Sequence, residues 1–331
     1  MPNQSLPATR VSTSHPLDPL NEIEIAAAVT VVKKYGKLSP RAWFESIYLQ
    51  EPEKSLVRNF QAGYQYERRA YVCCYDPASN QTVRGIVCIT TAQLESWDVV
   101  TDGGQARIVA DEYFAASLMA TKDPALIAAC AKRGITDMNR VLVEPWAAGY
   151  FGIKEEEGKR MAYGQCWYSD DSGDNPYARP LAGLHPVIDL QNMTVIRIDD
   201  FGVAPIPPNT GTLKPDKMRT DIKPLHITQP EGPSFIVEGH LVKWQKWHIR
   251  VGFNVREGLT LHDIKYEDKG RLRPIIYRAS MPEMVVPYGH PGNGHFRRNA
   301  FDNGEYGVGQ LFDSLSLGCD CVGDIKYFDA D

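Results

Sequence analysis

Seven prolines crowd residues 201–233: Pro205, Pro207, Pro208, Pro215, Pro224, Pro230 and Pro233. Each fixes φ and removes a backbone donor, so this stretch is neither a helix nor a central strand. It divides the chain into two parts with different periodicity. Downstream, apolar residues alternate at Phe235, Val237, Val242, Trp244, Trp247, Ile249, Val251 and Phe253, with turn signals at Glu257-Gly258 and Asp268-Lys269-Gly270. That is strand patterning with no helix of any length. Upstream, helical spacing is followed by strand-like runs, and the sequence of events occurs twice. The fold expected is therefore α+β: two small units at 15–96 and 97–200, an extended linker at 201–230, and the first antiparallel strands of a β-sandwich at 231–331.

In the first unit, Asp18-Pro19 reads as a cap with proline in the first turn. Ile25, Ala28, Val29 and Val32 then recur at helical spacing up to Gly36. Strands are expected at 42–49, 69–75 and 82–90, the last two joined by Asp76-Pro77-Ala78-Ser79-Asn80. In the second unit, Asp102-Gly103-Gly104 breaks the chain. Helices are expected at 110–120 and from Asp123-Pro124 to Gly134, and strands at 160–168, 186–190 and 193–198. The two units share a style, but their sequences show no aligned repeat.

The net charge of −5 leaves no basic stripe for nucleic acid. No apolar run is long enough to span a bilayer. The first sixteen residues, MPNQSLPATRVSTSHP, lack the apolar core of a secretory signal, which points to an intracellular protein, peroxisomal or cytoplasmic. Of seven cysteines, Cys73, Cys74, Cys88, Cys130 and Cys166 sit in apolar surroundings and read as buried free thiols. Cys319 and Cys321 form a Cys-x-Cys on what reads as a strand or its edge. That spacing suits a metal or half of a disulfide, though no His or Cys partner lies nearby. The final run Asp324-Ile325-Lys326-Tyr327-Phe328 is strand-like, with no closing element after it, which reads as truncation.

Near the end stands NAFDNGEYGVGQ, residues 299–310. As turn chemistry it needs no other explanation: Asp302-Asn303-Gly304 favours a reversal, and Gly307 and Gly309 let the backbone bend. It is not a phosphate loop, since no Lys-Ser/Thr pair follows. The stretch also resembles the catalytic-base segment of the copper-containing primary amine oxidases. HPLDPL at 15–20, TQPEGPSF at 228–235, VGFNVREGL at 251–259, RPIIYRASMPEMVVPYG at 273–289 and LSLGCDCVGDIKY at 315–327 resemble that family in the same order. HPLDPL and Ala300 resemble its fungal and yeast peroxisomal branch.

The resemblance implies two small cystatin-like α+β domains ahead of the start of a large catalytic sandwich. It implies that Asp302 is the general base, taking a proton from the amine-bearing carbon of a substrate joined to topaquinone. Such a base needs an apolar pocket to poise it, to which Phe301 and Tyr306 would contribute. Tyr288 resembles the tyrosine whose hydroxyl meets the quinone; as a residue alone it reads as a core tyrosine at a strand end. Ala300 stands where many relatives carry a bulky gate over the substrate channel. Cys321 resembles half of a family disulfide. The complete enzyme would be a homodimer using copper, topaquinone, a primary amine and O2. The family builds its cofactor from a tyrosine in Asn-Tyr-Asp/Glu-Tyr and holds copper by three His, two as His-x-His. Neither pattern occurs in these 331 residues, so this chain is expected to carry neither copper nor quinone and to be inactive alone. The alternative is a short, non-catalytic binding or dimer-partner module that retains the family's front end.

Overall fold

The computed structural model describes residues 15–35, 37–169, 175–208, 219–292, 294–318 and 320–330. The first unit opens with helix α1 (Glu22–Tyr35), followed by β1 (Trp43–Leu49), the short α2 (Lys54–Asn59), β2 (Arg69–Asp76), β3 (Gln81–Cys88) and β4 (Gln93–Val99). The strands form an antiparallel sheet in the order β1-β2-β3-β4. Ala28 and Val32 of α1 pack on Ala70, Val72 and Cys74 of β2 and Val87 of β3. Cys73 faces a separate cluster with Tyr75 and Ala106, so the adjacent thiols do point to opposite faces, as strand alternation requires.

The second unit contains α3 (Ala110–Ala120), α4 (Pro124–Ala131), β5 (Val141–Ala147), β6 (Met161–Tyr168), β7 (Leu184–Asp189) and β8 (Thr194–Asp200). Its sheet runs β5-β6-β7-β8, again antiparallel. Leu126 and Cys130 of α4 and Ala116 of α3 fill the space against Val143, Ala162, Leu184 and Ile188.

A repeat hidden in the sequence is plain in the side chains. Arg68, just before β2, holds Glu24 of α1 through Nε and Nη2, both at 2.8 Å. Arg160, just before β6, holds Glu112 of α3 in the same two-pronged way, both at 2.7 Å. Each arginine spends its remaining donors on carbonyls of the segment entering the helix: Asp18 and Pro19 for Arg68, Ala106 and Arg107 for Arg160. The backbone agrees, since the carbonyls of Arg68 and Arg160 accept from Ile89 and Leu190 respectively, each the residue following the third strand. The two units share one architecture.

From Phe235 the chain forms a five-stranded antiparallel meander of β9 (Phe235–Glu238), β10 (Leu241–Trp244), β11 (Trp247–Asn254), β12 (Gly258–Asp268) and β13 (Arg271–Ser280), then a ribbon of β14 (Val285–Pro287) and β15 (Asn299–Phe301). Lys269 and Gly270 both have positive φ, +51° and +77°, the geometry a tight hairpin needs between β12 and β13. No α-helix occurs here among the described residues. The linker has neither helix nor strand at 201–208 and 219–233, and 219–233 is exposed throughout.

Several expectations need correction. Helix α1 starts at Glu22 rather than at Asp18-Pro19. Asn21 caps it, accepting from Glu24 N–H at 3.0 Å while the Glu24 carboxylate accepts from Asn21 N–H at 3.1 Å, a reciprocal capping box. Asp18 closes the preceding turn instead, accepting from His15 N–H at 2.9 Å and pairing with Arg250 at 3.0 Å. The expected stop at Gly36 lies outside the described residues. Strands β4 and β5 and helix α2 were not anticipated. The 324–328 run is not a strand; it lies alongside other loops, with Tyr327 donating to the Leu315 carbonyl and Phe328 stacking on His240. Cys321 makes only an isolated bridge with Leu317, and Cys319 lies outside the described residues.

Candidate active site

The short ribbon and its ends carry Asp302, Ala300 and Tyr288, three of the residues singled out in the sequence. Its register pairs Val285 with Phe301, Val286 with Ala300 and Pro287 with Asn299. Two further backbone bonds extend the pairing, from Asp302 N–H to Met284 O at 2.8 Å and from Tyr288 N–H to Arg298 O at 3.1 Å. Directly paired residues share a face, and faces alternate along a strand. Asp302, Ala300 and Tyr288 thus belong to one face of the ribbon, with Asp302 and Tyr288 at opposite ends. Four residues of extended chain, roughly 13 Å, separate those ends. Ala300 is buried, Tyr288 is about half exposed, and Asp302 is exposed.

Among the described residues no pocket closes around Asp302, and the cover expected from Tyr306 is not there: the Tyr306 ring packs edge-on against Tyr113 of α3 and its hydroxyl donates to the Pro145 carbonyl at 3.3 Å. The buried carboxyl in this loop is instead that of Glu305, 8 % exposed. It accepts a hydrogen bond from the Ala147 N–H. Burial, with contributions from Asp302 and Glu144, pushes its pKa up to about 7 despite that bond.

The two arginines at the base of β15 were also passed over in the sequence, where they look like solvated charge. Arg297 is buried between the rings of Tyr163 (4.5 Å) and Phe151 (5.4 Å) and bonds both carboxylate oxygens of Glu156 at 3.0 and 2.7 Å. Arg298 faces the other way, with its guanidinium near Tyr288 (5.4 Å) and Trp146 (5.7 Å) and a hydrogen bond to the Gln165 side chain. The ribbon is thereby anchored to the second unit. The meander is anchored to the first, where Glu51 accepts from His262 at 2.8 Å and Arg278 at 2.7 Å.

A stability prediction follows from Glu305. Folded, it holds its proton to about pH 7; its ordinary value is 4.5. Its contribution to stability is full below pH 4.5 and is lost as the pH rises through 7. At 1.36 kcal/mol per tenfold, the loss is about 3 kcal/mol. His15 acts in the opposite sense: burial and Arg250 push it down to about 4, so its contribution is present above pH 6.5 and lost on acidification. The two overlap, and only a difference measurement separates them. The stability of Glu305→Gln relative to wild type should therefore improve between pH 4.5 and 8 by about 3 kcal/mol. A difference that does not vary with pH would contradict this.

The donor set for copper is a separate matter. Among the described residues one group of three ligand-type side chains converges, Glu67, Cys88 and Glu95. It contains no imidazole, and Arg69 already pairs with both of its carboxylates. His262 is buried against Glu51, and His290 and His295 lie edge to face with ring centroids 5.4 Å apart. These residues do not fit a three-imidazole copper site, and no tyrosine lies in the cofactor-forming pattern. Cys73, Cys74, Cys88, Cys130 and Cys166 are buried free thiols; Cys321 is also free and partly exposed. No helix among the described residues is long and apolar enough to cross a membrane.

Comparison with known proteins gives one answer along the chain. Residues 15–100 match the copper amine oxidase N2 domain, 111–213 the copper amine oxidase N3 domain, and 236–331 the copper amine oxidase enzyme domain. The primary amine oxidase of Arthrobacter sp. (strain P1) is 42 % identical over 322 residues, covering 96 % of this chain and 49 % of that protein. The peroxisomal primary amine oxidase of Pichia angusta is 34 % identical over 322 residues, covering 93 % and 46 %. The crystal structure of a copper-containing benzylamine oxidase from Hansenula polymorpha superposes with a TM-score of 0.82 at 29 % identity, covering 95 % of this chain and 52 % of that one. The chain spans about half the length of the relatives it matches. With its domains matched in order and its architecture shared, the chain belongs to the copper amine oxidase family.

Proposed function

We propose that this chain forms the front half of a primary-amine oxidase, which converts RCH2NH2, O2 and H2O to RCHO, NH3 and H2O2. The observation that carries the reading is the enzyme-domain match over 236–331, which contains Asp302, Ala300 and Tyr288 on one ribbon face. Asp302 is the base that takes the proton from the amine-bearing carbon. Tyr288 presents its hydroxyl toward the cofactor, and Ala300 leaves a wide substrate entrance. Residues 15–96 and 97–200 are accessory domains, 201–230 is a linker, and 231–331 begins the catalytic domain. Copper-binding His and the quinone-forming Tyr come from residues outside this chain, so the 331 residues alone are inactive. The complete protein is a homodimer held in peroxisome or cytoplasm, near the Pichia angusta relative in kind.

The test is to express the protein from its natural reading frame with copper and supply a small alkylamine and a bulky arylalkylamine. Aldehyde, ammonia and peroxide in equal amounts are expected. A copper-loaded product that consumes neither amine would defeat the reading. A frame ending at Asp331, with a stable copper-free product, would favour the non-catalytic module. Ala300→Phe should lower kcat/KM for the bulky amine roughly tenfold more than for the small one; equal losses would remove Ala300 from the entrance.

A further inference from the structure

The loop carrying Asp302 is fastened to a sheet edge by side chains, and the fastening is specific. Strand β5 is one of the two outer strands of the second sheet. Its inward residues are the even-numbered ones: Arg140 O accepts from Ser169 N–H and Ala148 N–H donates to Met161 O, both toward β6. The odd-numbered residues therefore turn their backbone groups outward. Pro145, with no N–H, is tolerated there because an edge position asks for none. That leaves the Pro145 carbonyl and the Ala147 N–H as adjacent outward groups. Tyr306 Oη takes the first and Glu305 Oε1 the second. The Glu305 N–H in turn donates to Phe301 O at 2.8 Å. Asp302 thus stands in a short loop held at one end by β14 and at the other by β5.

We propose that Glu305 is a positioning residue for Asp302, its carboxyl fixing the loop against the β5 edge and so setting where the base stands. The proposal rests on the reading of Asp302 as the base. A neutral amide could make the same bond without the cost of burying an ionisable group, so the choice of a carboxyl beside Asp302 also couples the loop to pH. The groups facing it are Asp302 and Tyr306 on its own loop, Glu144 on β5 and Tyr113 on α3. Arg107, Glu156, Glu157, Lys159, Arg160 and Glu283 share the adjoining cleft, and Glu283 accepts from the Gly304 N–H of the same loop at 2.9 Å. The Glu305 carboxyl sits close to neutrality under the combined effect of burial and these neighbours.

The experiment uses the protein expressed from its natural reading frame and compares wild type, Glu305→Ala, Glu305→Gln and Asp302→Asn. Three quantities are read: hydrogen exchange at the Ala147 amide, kcat for amine-dependent peroxide release, and the pH profile of kcat. Glu305→Ala should accelerate exchange at Ala147 and lower kcat about 10²-fold, the scale of a loss of about 1 Å in placement. Glu305→Gln should restore both Ala147 protection and most of kcat, while an inflection near pH 7 seen in wild type disappears. Wild-type kcat in Glu305→Ala, unchanged exchange at Ala147, or no rescue by Gln would each overturn the proposal. Asp302→Asn separates the two readings. If it turns over normally, the base assignment fails and the positioning role falls with it; if it collapses while Glu305→Ala is normal, only the positioning role fails.

Discussion

Asp302→Asn is expected to lower amine-dependent peroxide release by about 10²–10⁴-fold, the usual contribution of a positioned general base. Asn keeps the size of the side chain but cannot accept the proton. The bond that fixes residue 302 in the ribbon is made by its backbone N–H, to the Met284 carbonyl, and the substitution leaves it intact. Asn is as good a turn residue as Asp, and the side chain is exposed, so folding should be unaffected. The turn reading therefore predicts near-normal turnover, and the two readings differ by orders of magnitude in a single assay. Near-wild-type peroxide release from a folded, copper-loaded Asp302→Asn protein would reject the base assignment.

Exposure of Asp302 bears on where catalysis happens. Removing a proton from carbon needs a site closed to bulk water, and this ribbon face is open at its two ends, with Met284 45 % and Tyr288 49 % exposed, while Ala300 between them is buried. In the proposed complete enzyme the parts of the catalytic domain beyond these residues supply that cover. On that proposal, this chain would contribute the base and its mounting: Arg297 against Tyr163 and Phe151, and Glu305 on the β5 edge.

What the sequence disclosed and what it hid divide along the range of the interactions. Helix α4 was legible from Asp123-Pro124 because its signal is local, and Asp123 does cap Ala125 and Leu126 N–H. The hairpins around Asn80, Gln191-Asn192 and Lys269-Gly270 were legible for the same reason. Strand β5 was not, because Pro145 argues against a strand unless one knows that it faces an open edge. Strand β4, QLESWDV, is too polar to show alternation and is held by pairing with β3. The shared architecture of the two units was invisible, since its marks are an Arg and a Glu 44 residues apart in one unit and 48 in the other. At the site, the family resemblance points to Asp302, while nothing in the sequence singles out Glu305 three residues on. Its burial depends on a strand edge 158 residues away, which no local pattern reveals.

Those arginine–glutamate pairs carry the largest stability prediction. Glu112 is fully buried and Arg160 nearly so. The guanidinium also serves the Ala106 and Arg107 carbonyls and lies 4.3 Å from the Tyr75 ring of the first sheet. Removing one partner of such a pair strands the other charge in a low-dielectric site, and the cost is about 3–5 kcal/mol. Glu112→Ala should lose that much, read as a lower denaturant midpoint at neutral pH. The exposed pair Arg69–Glu95 is a control, for which Glu95→Ala should cost below about 1 kcal/mol. Replacing both buried partners, as Glu112→Leu with Arg160→Met, removes the stranded charge and should recover much of the loss. Recovery should stay incomplete, because the two carbonyls that Arg160 served are left without its donors, a penalty of about 1–3 kcal/mol. If Glu112→Ala proves no more damaging than Glu95→Ala, the pair is not what joins α3 to its sheet. If the double replacement is no better than the single one, the damage comes from lost packing rather than from the unpaired charge.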